Sequence, residues 1–155
     1  MTTVSSDKIN SLIWKNFRDL IKNNVVSVTI QGSTGADTKT VLIQDVLNSY
    51  PDKDKSTSSD YPIIIINSPT KRTSSLTYRN KIVPGSIEVE VFATQKEAID
   101  KIMDKINDVI LDNETTLNTA GIQELNIIDE DSSTDILNGI KGHRGLVVWG
   151  FEYEI

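Results

Sequence analysis

Acidic side chains near residue 130 alternate in a way that also marks the start of calcium-binding loops. Asp129, Asp131 and Ser133 occupy every second position. A calcium loop of this kind needs a glycine at its sixth position and a bidentate glutamate at its twelfth, and here these positions hold Thr134 and Ile140. The pattern therefore predicts a solvated acidic loop and no metal site.

Two other arrangements could do chemistry, a phosphate loop and a catalytic histidine. Residues 32–35 read Gly-Ser-Thr-Gly, with Lys39 nearby, but a phosphate loop needs Gly-Lys-Ser/Thr in succession and Ala36 follows the second glycine. His143 is the only histidine, there is no cysteine, and no serine lies in a Gly-x-Ser-x-Gly turn. The sequence thus predicts no catalytic residue and no cofactor. A small hydrolase or nucleotide-binding enzyme that uses His143 remains the catalytic alternative.

Basic side chains cluster in one stretch, residues 71–81, which we call the basic segment. Lys71, Arg72, Arg79 and Lys81 provide its charge, and Tyr78 is its one aromatic residue. A platform for single-stranded nucleic acid would need more aromatic side chains on which bases can stack. We therefore favour a charged edge strand or a subunit contact, with a small nucleic-acid-binding module as the alternative.

The charges of the chain are unevenly distributed. The formal net charge is −6, which argues against general nucleic-acid binding. Residues 1–81 carry 11 basic and 7 acidic side chains, whereas residues 82–155 carry 5 and 15. The balances of +4 and −10 predict surfaces of opposite sign that attract each other, within one chain or between copies.

Length and composition indicate one soluble domain spanning residues 1–155. A chain of 155 residues has the usual size of a single domain. The absence of cysteine fits a reducing cytoplasm, and no apolar run approaches the ~20 residues of a membrane span. We expect neither secretion nor membrane insertion.

Apolar periodicity predicts the elements of the first half. Residues 7–24 form an amphipathic helix, because apolar side chains recur at spacings of three and four. Residues 25–30 read as a strand and residues 32–40 as a polar turn, while residues 41–50 suit helix and strand equally. Residues 52–60 have nothing to bury, so mobile loops are expected within residues 32–60. Residues 63–66, four consecutive isoleucines, predict a central strand.

The second half alternates in the same way between strand and helix signals. The basic segment predicts an exposed strand, and Pro84-Gly85 a break after it. Residues 86–92 alternate with period two, which places Glu88 and Glu90 in water. Residues 94–97 have capping-box spacing and begin a second amphipathic helix that ends near Asp112. Residues 121–128 predict a strand, 129–143 a mobile acidic loop, and 146–155 a terminal strand with its aromatic side chains on one face.

This order of elements predicts an α+β fold, a mostly antiparallel sheet with two amphipathic helices packed on one face. Its core should contain Ile13, Phe17, Ile64, Ile66, Val89, Val91, Ile102 and Ile106, together with the inward face of the last strand.

The same order resembles the tail terminator (tail completion) proteins of long-tailed phages. The similar features are the opening helix at residues 7–24, Tyr61-Pro62 before a β-branched strand, and Ile-Glu-Val-Glu-Val-Phe-Ala at residues 87–93 before a helix. They continue with Leu117, Gly121-Ile122, the acidic residues 129–131 and the closing Phe-Glu-Tyr at residues 151–153. Residues 32–60 and 71–81 are longer and more polar than this family's compact core.

The resemblance implies a non-enzymatic virion protein, assembled in the host cytoplasm. Such a protein forms a ring, expected to be a hexamer, that caps the tail tube, stops its polymerisation and joins it to the head connector. Its partners would be further copies of itself, the tail tube protein and the connector protein. Another neck or connector component is the alternative. A ring needs two different surfaces that meet, and the charge asymmetry suggests Lys71, Arg72, Arg79 and Lys81 on one side and Asp129, Glu130 and Asp131 on the other.

Overall fold

A computed structural model describes residues 9–31, 38–48, 58–71, 82–137 and 139–154. Its helices are α1 (Ile9–Asn24), α2 (Lys96–Asp112) and α3 (Glu114–Thr119), with a 3-10 turn at Ser58–Asp60. Its strands are β1 (Ser27–Gln31), β2 (Thr38–Leu42), β3 (Asp45–Leu47), β4 (Ile63–Ile66), β5 (Thr70–Lys71), β6 (Ile82–Ala93), β7 (Gln123–Leu137) and β8 (Ile140–Glu154). The two long helices and the first strand confirm the sequence prediction to within a few residues.

The strands form one main sheet and a small second one. The main sheet has the order β3-β4-β6-β8-β7, and β5 pairs with part of β6. Only β3 and β4 run parallel, and all other neighbours in the described residues are antiparallel. β1 and β2 form a separate antiparallel pair. The predicted α+β class with a mostly antiparallel sheet is therefore confirmed.

Both long helices pack on the same face of the main sheet. Ile13, Phe17 and Ile21 recur every fourth residue and bury one stripe of α1. They join one core cluster with the buried face of α2, with Val83, Ile87, Val89 and Val91 of β6, and with Val147, Trp149, Phe151 and Tyr153 of β8. All the residues predicted for the core are buried: Ile13, Phe17, Ile64, Ile66, Val89, Val91, Ile102 and Ile106. Tyr61, Ile63, Ile65 and Phe92 form a second small cluster.

Polar contacts fix the helices on the sheet. The indole Nε1 of Trp14 donates to the carbonyl oxygen of Ile66 at 2.8 Å, which ties α1 to the end of β4. The ammonium of Lys105 donates to the carbonyl oxygen of Ser27 at 2.9 Å, which ties α2 to β1. Each bond satisfies a strand carbonyl with a helix side chain, so the helix layer has a defined register.

In the middle of the chain the structure decides one prediction that was open between helix and strand, and it corrects two others. Residues 41–50 contain strand and no helix in their described part, since β2 and β3 lie there, and Thr38 already belongs to β2 rather than to a turn. Pro84 and Gly85 do not interrupt the strand but lie inside β6, opposite Glu152 and Phe151 of β8. A Cβ at Gly85 would come within 2.9 Å of the Phe151 ring and 3.0 Å of the Thr70 carbonyl oxygen. Glycine is needed there because an aromatic ring and a neighbouring strand both approach the backbone.

The predicted capping box at the start of α2 is wrong. Gln95 occupies the N-cap position and no side chain bonds the first N–H groups from there. Glu97 instead accepts a hydrogen bond from the backbone N–H of Gln31 at 3.0 Å. The carboxylate thus connects α2 to the end of β1, a long-range contact that capping-box spacing does not reveal.

The predicted mobile loop at residues 129–143 is also wrong in the residues described. β7 and β8 are each 15 residues long and pair as an antiparallel hairpin through Leu137 and Ile140. The other expected loops are described only at Thr38–Asn48 and from Ser58 onward, and the rest of residues 32–60 lies outside the described residues. So does the basic segment beyond Lys71.

Candidate functional site

The residues first considered for catalysis and metal binding do not converge in the described structure. Asp129, Asp131 and Ser133 alternate along the extended strand β7, rather than curling around a cation. Among the residues that the structure describes, no group of three or more His, Asp or Glu side chains is placed to hold a metal ion. The phosphate-like residues 32–35 lie outside the described ranges. Within those ranges, no helix is both long and apolar enough to span a membrane.

His143 lies in β8, opposite Ala93 of β6 and Thr134 of β7. Its ring borders a cleft of about 180 Å³ that Lys96, Ile99 and Ser133 also line. A histidine that acts as a general base needs a third group that orients its ring. No hydrogen bond or ion pair from a carboxylate to His143 is found among the described residues, so this cleft gives the hydrolase alternative no support.

The structure places the acidic half of the predicted subunit contact together on one strand. Asp129, Glu130 and Asp131 are consecutive residues of β7, and all three are exposed. β7 is the last strand of the main sheet, so these carboxylates lie at its edge. Of the basic half, Lys71 lies in β5 opposite Gly85. Arg72, Arg79 and Lys81 lie outside the described residues, and their part of the prediction stays a prediction.

The edge strand β7 is open along most of its length. Residues 126–134, nine in a row, are all exposed. In a strand that covers a core, every second residue is buried, so consecutive exposure means that neither face of this stretch is covered. Exposed strand edges of this length are templates for pairing with another chain. The opposite edge of the main sheet is β3, which has only three residues.

Isoleucines lie on this open strand among the acidic residues. Ile127, Ile128 and Ile136 are 41%, 39% and 66% exposed. Ile128 packs over Gly150 of β8, where a Cβ would approach its side chain to 2.6 Å. Exposed apolar side chains on a sheet edge supply the burial that a protein contact needs. They were not predicted as contact residues, although Ile127 and Ile128 end the predicted strand at residues 121–128 and Ile136 lies in the stretch expected to be a loop.

Two aspartates occupy the hydrogen-bonding edge of β7. The Oδ1 atom of Asp129 accepts from the N–H of Glu130 at 2.9 Å, and that of Asp131 accepts from the N–H of Ser132 at 2.8 Å. Backbone N–H groups two residues apart point to the same side of a strand. These two N–H groups therefore lie on the side away from β8, and a side-chain carboxylate covers each of them. On β3 the Oδ1 of Asp45 accepts from the N–H of Val46 at 2.9 Å, but this N–H lies on the β4 side, because the N–H of Gln44 two residues before it bonds the carbonyl oxygen of Pro62.

Glu130 differs from its neighbours because it points to the helix layer. Its Oε1 accepts from the Nδ2 of Asn107 at 3.3 Å, and the Oδ1 of Asn107 accepts from the indole Nε1 of Trp149 at 3.2 Å. Trp149 is buried. This chain of bonds holds β7 against α2 and β8, so that the exposed edge is fixed by the core. A cleft of about 480 Å³ between α2 and β7 is lined by Asp100, Asp104, Glu130 and Asp131, and this surface is strongly acidic.

The structure also reveals an ion pair that was not expected. Glu90 was predicted to lie in water, but it is 2% exposed, and its Oε1 accepts a hydrogen bond from the guanidinium of Arg144. The alternation of residues 86–92 fails here because Phe92, which has the same orientation as Glu90, belongs to the second buried cluster. No local signal could have found this pair, since 54 residues separate the partners.

Neither the protein-family models nor the curated proteins include a match to this chain.

Proposed function

We propose that this chain is a non-enzymatic virion assembly protein of the tail terminator type. In this proposal its copies form a ring on the end of a finished tail tube, stop the polymerisation of the tube and present a surface to the head connector. The resemblance of the order of elements motivates the proposal. The confirmed fold class, with both helices on one face of a mostly antiparallel sheet, is compatible with it.

The observation that carries the proposal is the open edge of β7. Its nine exposed residues combine acidic side chains with exposed isoleucines, on a strand that the core holds in place. A rigid, partly apolar edge of this kind suits contact with protein better than binding of a small molecule or of nucleic acid, whose phosphates the carboxylates would repel.

The charge distribution favours a ring over a symmetric pair. If two copies met through the same edge, Asp129 and Asp131 of both copies would lie together, and like charges directly opposite destabilise paired strands. The acidic edge instead suits a different, basic surface on the next copy. Contacts between two different surfaces generate closed rings when the rotation between subunits closes.

Tube growth tests the function directly. Purified tail tube protein of the same virus would be polymerised with and without the chain, and tube lengths measured by negative-stain electron microscopy. The proposal predicts that adding the chain halts elongation and leaves a ring at one tube end. The variant Asp129→Lys/Asp131→Lys is the matched control, because it reverses the edge charge at two exposed positions. Tubes that lengthen equally in the presence of the parent chain would refute the proposal.

A further inference from the structure

Three features of the described residues could bind a ligand or a partner. The cleft between β2 and the start of α2 contains Lys39 and a helix N-terminus, but no second observation there indicates a ligand. The pair of Glu90 and Arg144 links β6 to β8, and no observation beside it indicates a ligand. The edge of β7 is exposed, its aspartates bond two of its own N–H groups, and its acidic side chains favour a basic partner.

We propose that the edge of β7 around residues 129–133 accepts the basic segment (residues 71–81) of a second copy as an added strand. This inference rests on the proposed function, and it specifies how neighbouring subunits of the ring are joined. Strand addition forms main-chain hydrogen bonds along an exposed sheet edge, and side chains give it specificity.

The covered N–H groups explain why the edge does not pair indiscriminately. The Asp129 and Asp131 carboxylates already bond the outward N–H groups of Glu130 and Ser132. A neutral strand would have to displace two charged acceptors, which make stronger hydrogen bonds than neutral ones. A basic strand draws the same carboxylates onto its own cations, and thereby releases the N–H groups for main-chain pairing. The two aspartates thus block pairing with neutral strands and permit it when a cationic strand binds their carboxylates.

Charge and length identify the partner within this chain. The basic segment is the one concentrated run of Lys and Arg in the sequence, with four cations and no acidic residue in eleven positions. Its ends are held close together, because Lys71 pairs with Gly85 and β6 begins at Ile82, so one arm of about five residues can extend, roughly 16 Å at about 3.3 Å per residue. That is sufficient to follow residues 129–133 of β7. Its Leu76 and Tyr78 offer apolar surface for the exposed isoleucines of the edge.

Substitution of Ser132 separates strand addition from simple charge attraction. Ser132→Pro removes the outward N–H without changing any charge, and proline is tolerated on an edge strand where no ladder bond is lost. Ser132→Ala keeps the N–H and is the matched control. By native mass spectrometry at low salt, the parent and Ser132→Ala should assemble, whereas Ser132→Pro should stay monomeric. Normal assembly of a folded Ser132→Pro chain would overturn the proposal.

A mixing experiment identifies the partner. Ser132→Pro retains its basic segment, and Arg72→Glu/Arg79→Glu retains its β7 edge, so each alone should fail to assemble while an equimolar mixture gives a one-to-one dimer. If the mixture stays monomeric, the basic segment is not the occupant. Should Ser132→Pro fail to fold by circular dichroism, Asp129→Lys/Asp131→Lys replaces it, since both positions are exposed. This mixture should form assemblies larger than a dimer, because the lysine edge also suits the glutamates of the other chain, and a mixture that stays monomeric would exclude the basic segment as the occupant.

A peptide-binding experiment distinguishes failure of strand addition from failure of the proposed ring. A fluorescent peptide with the sequence of residues 70–82 would be titrated by fluorescence anisotropy with Ser132→Pro and, as the reference, with Arg72→Glu/Arg79→Glu, whose β7 edge no neighbouring copy occupies. Lost main-chain bonds and the bulk of the proline ring should weaken its binding to Ser132→Pro by about tenfold or more. If the parent is monomeric but binds the peptide, strand addition survives and the proposed ring fails. Three results together would refute strand addition and leave the ring standing: the parent forms a ring, Ser132→Pro assembles equally well, and the peptide does not bind.

Discussion

Removal of the Arg144 charge should destabilise the fold far more than a surface substitution does. Glu90 is buried, with its side chain 3% exposed, while the Arg144 side chain is 24% exposed. Arg144→Met keeps most of the apolar stem but leaves a buried carboxylate without its guanidinium. Breaking a buried ion pair in this way costs about 3–5 kcal/mol. The partial exposure of the site places the expected loss at the lower end, about 3 kcal/mol.

Urea unfolding of the purified chain measures this loss, and thermal unfolding offers a second readout. For a domain of this size, about 3 kcal/mol corresponds to a fall in Tm of roughly 6–12 °C. Glu90→Gln should cost less than Arg144→Met, because the quarter-exposed guanidinium that remains is still in contact with water. The free energy of unfolding lost by the double variant should be about 2 kcal/mol smaller than the sum of the two single losses, because the two side chains are coupled.

Lys141→Met is the matched control, since Lys141 is an exposed cation on the same strand and should change stability by less than about 0.5 kcal/mol. A loss below about 1 kcal/mol for Arg144→Met, or additive effects in the double variant, would refute the reasoning that the pair is buried and coupled.

Three further predictions follow from the core and the charged surfaces. Ile106→Ala, at a fully buried position of α2, should lower the free energy of unfolding in urea by about 2–5 kcal/mol. Leu111→Ala, at 50% exposure on the same helix, should lower it by less than about 1 kcal/mol. Equal losses would show that the helix register is wrong. Gly145→Ala places a Cβ 2.2 Å from the Met103 sulfur and 2.8 Å from Ile99, so overpacking should cost about 1–3 kcal/mol, and an unchanged urea midpoint would contradict this packing. Arg72→Glu/Arg79→Glu should impair assembly at low salt in sedimentation experiments, and Asp129→Lys/Asp131→Lys in the same chain should partly restore it; assembly like that of the parent would exclude the basic segment as the ring contact. Since exposed charge pairs contribute only about 0.2–1 kcal/mol each, added salt should weaken the parent assembly modestly rather than abolish it.

The two long helices and β6 were predictable because each has a buried face that leaves a period in the sequence, and β4 because it is a continuous apolar run. Ile13, Phe17 and Ile21 lie on the face of α1 that packs on the sheet. Ile63–Ile66 form a strand with apolar clusters on both sides. Such periods depend on burial alone, so they identify elements without knowledge of their neighbours. The fold class followed from them.

The elements that were missed lack such a period or depend on distant partners. Residues 129–134 are exposed on both faces, so this part of β7, unlike the predicted strand at residues 121–128, has no alternation that could distinguish it from a loop. Pro84 and Gly85 usually mark turns, but the approach of Phe151 and Thr70 keeps them in β6. Glu90 has a partner 54 residues away in Arg144, which only the register of β6 and β8 brings close.

The candidate contact surface was predictable in part for the same reasons. Composition located the acidic residues 129–131 and the basic segment, because charge is read directly from the sequence. It did not reveal that Asp129 and Asp131 cover the outward N–H groups of an edge strand, since that requires the strand itself and its place in the sheet.

The native mass of the unmodified chain in solution tests the central claim most directly. We expect sedimentation equilibrium or native mass spectrometry at low salt and micromolar concentration to show a closed hexamer of 17.2 kDa subunits, with ring-shaped particles in electron micrographs. A single species of 17.2 kDa that persists as the concentration is raised would contradict the account of this protein as a ring-forming assembly component.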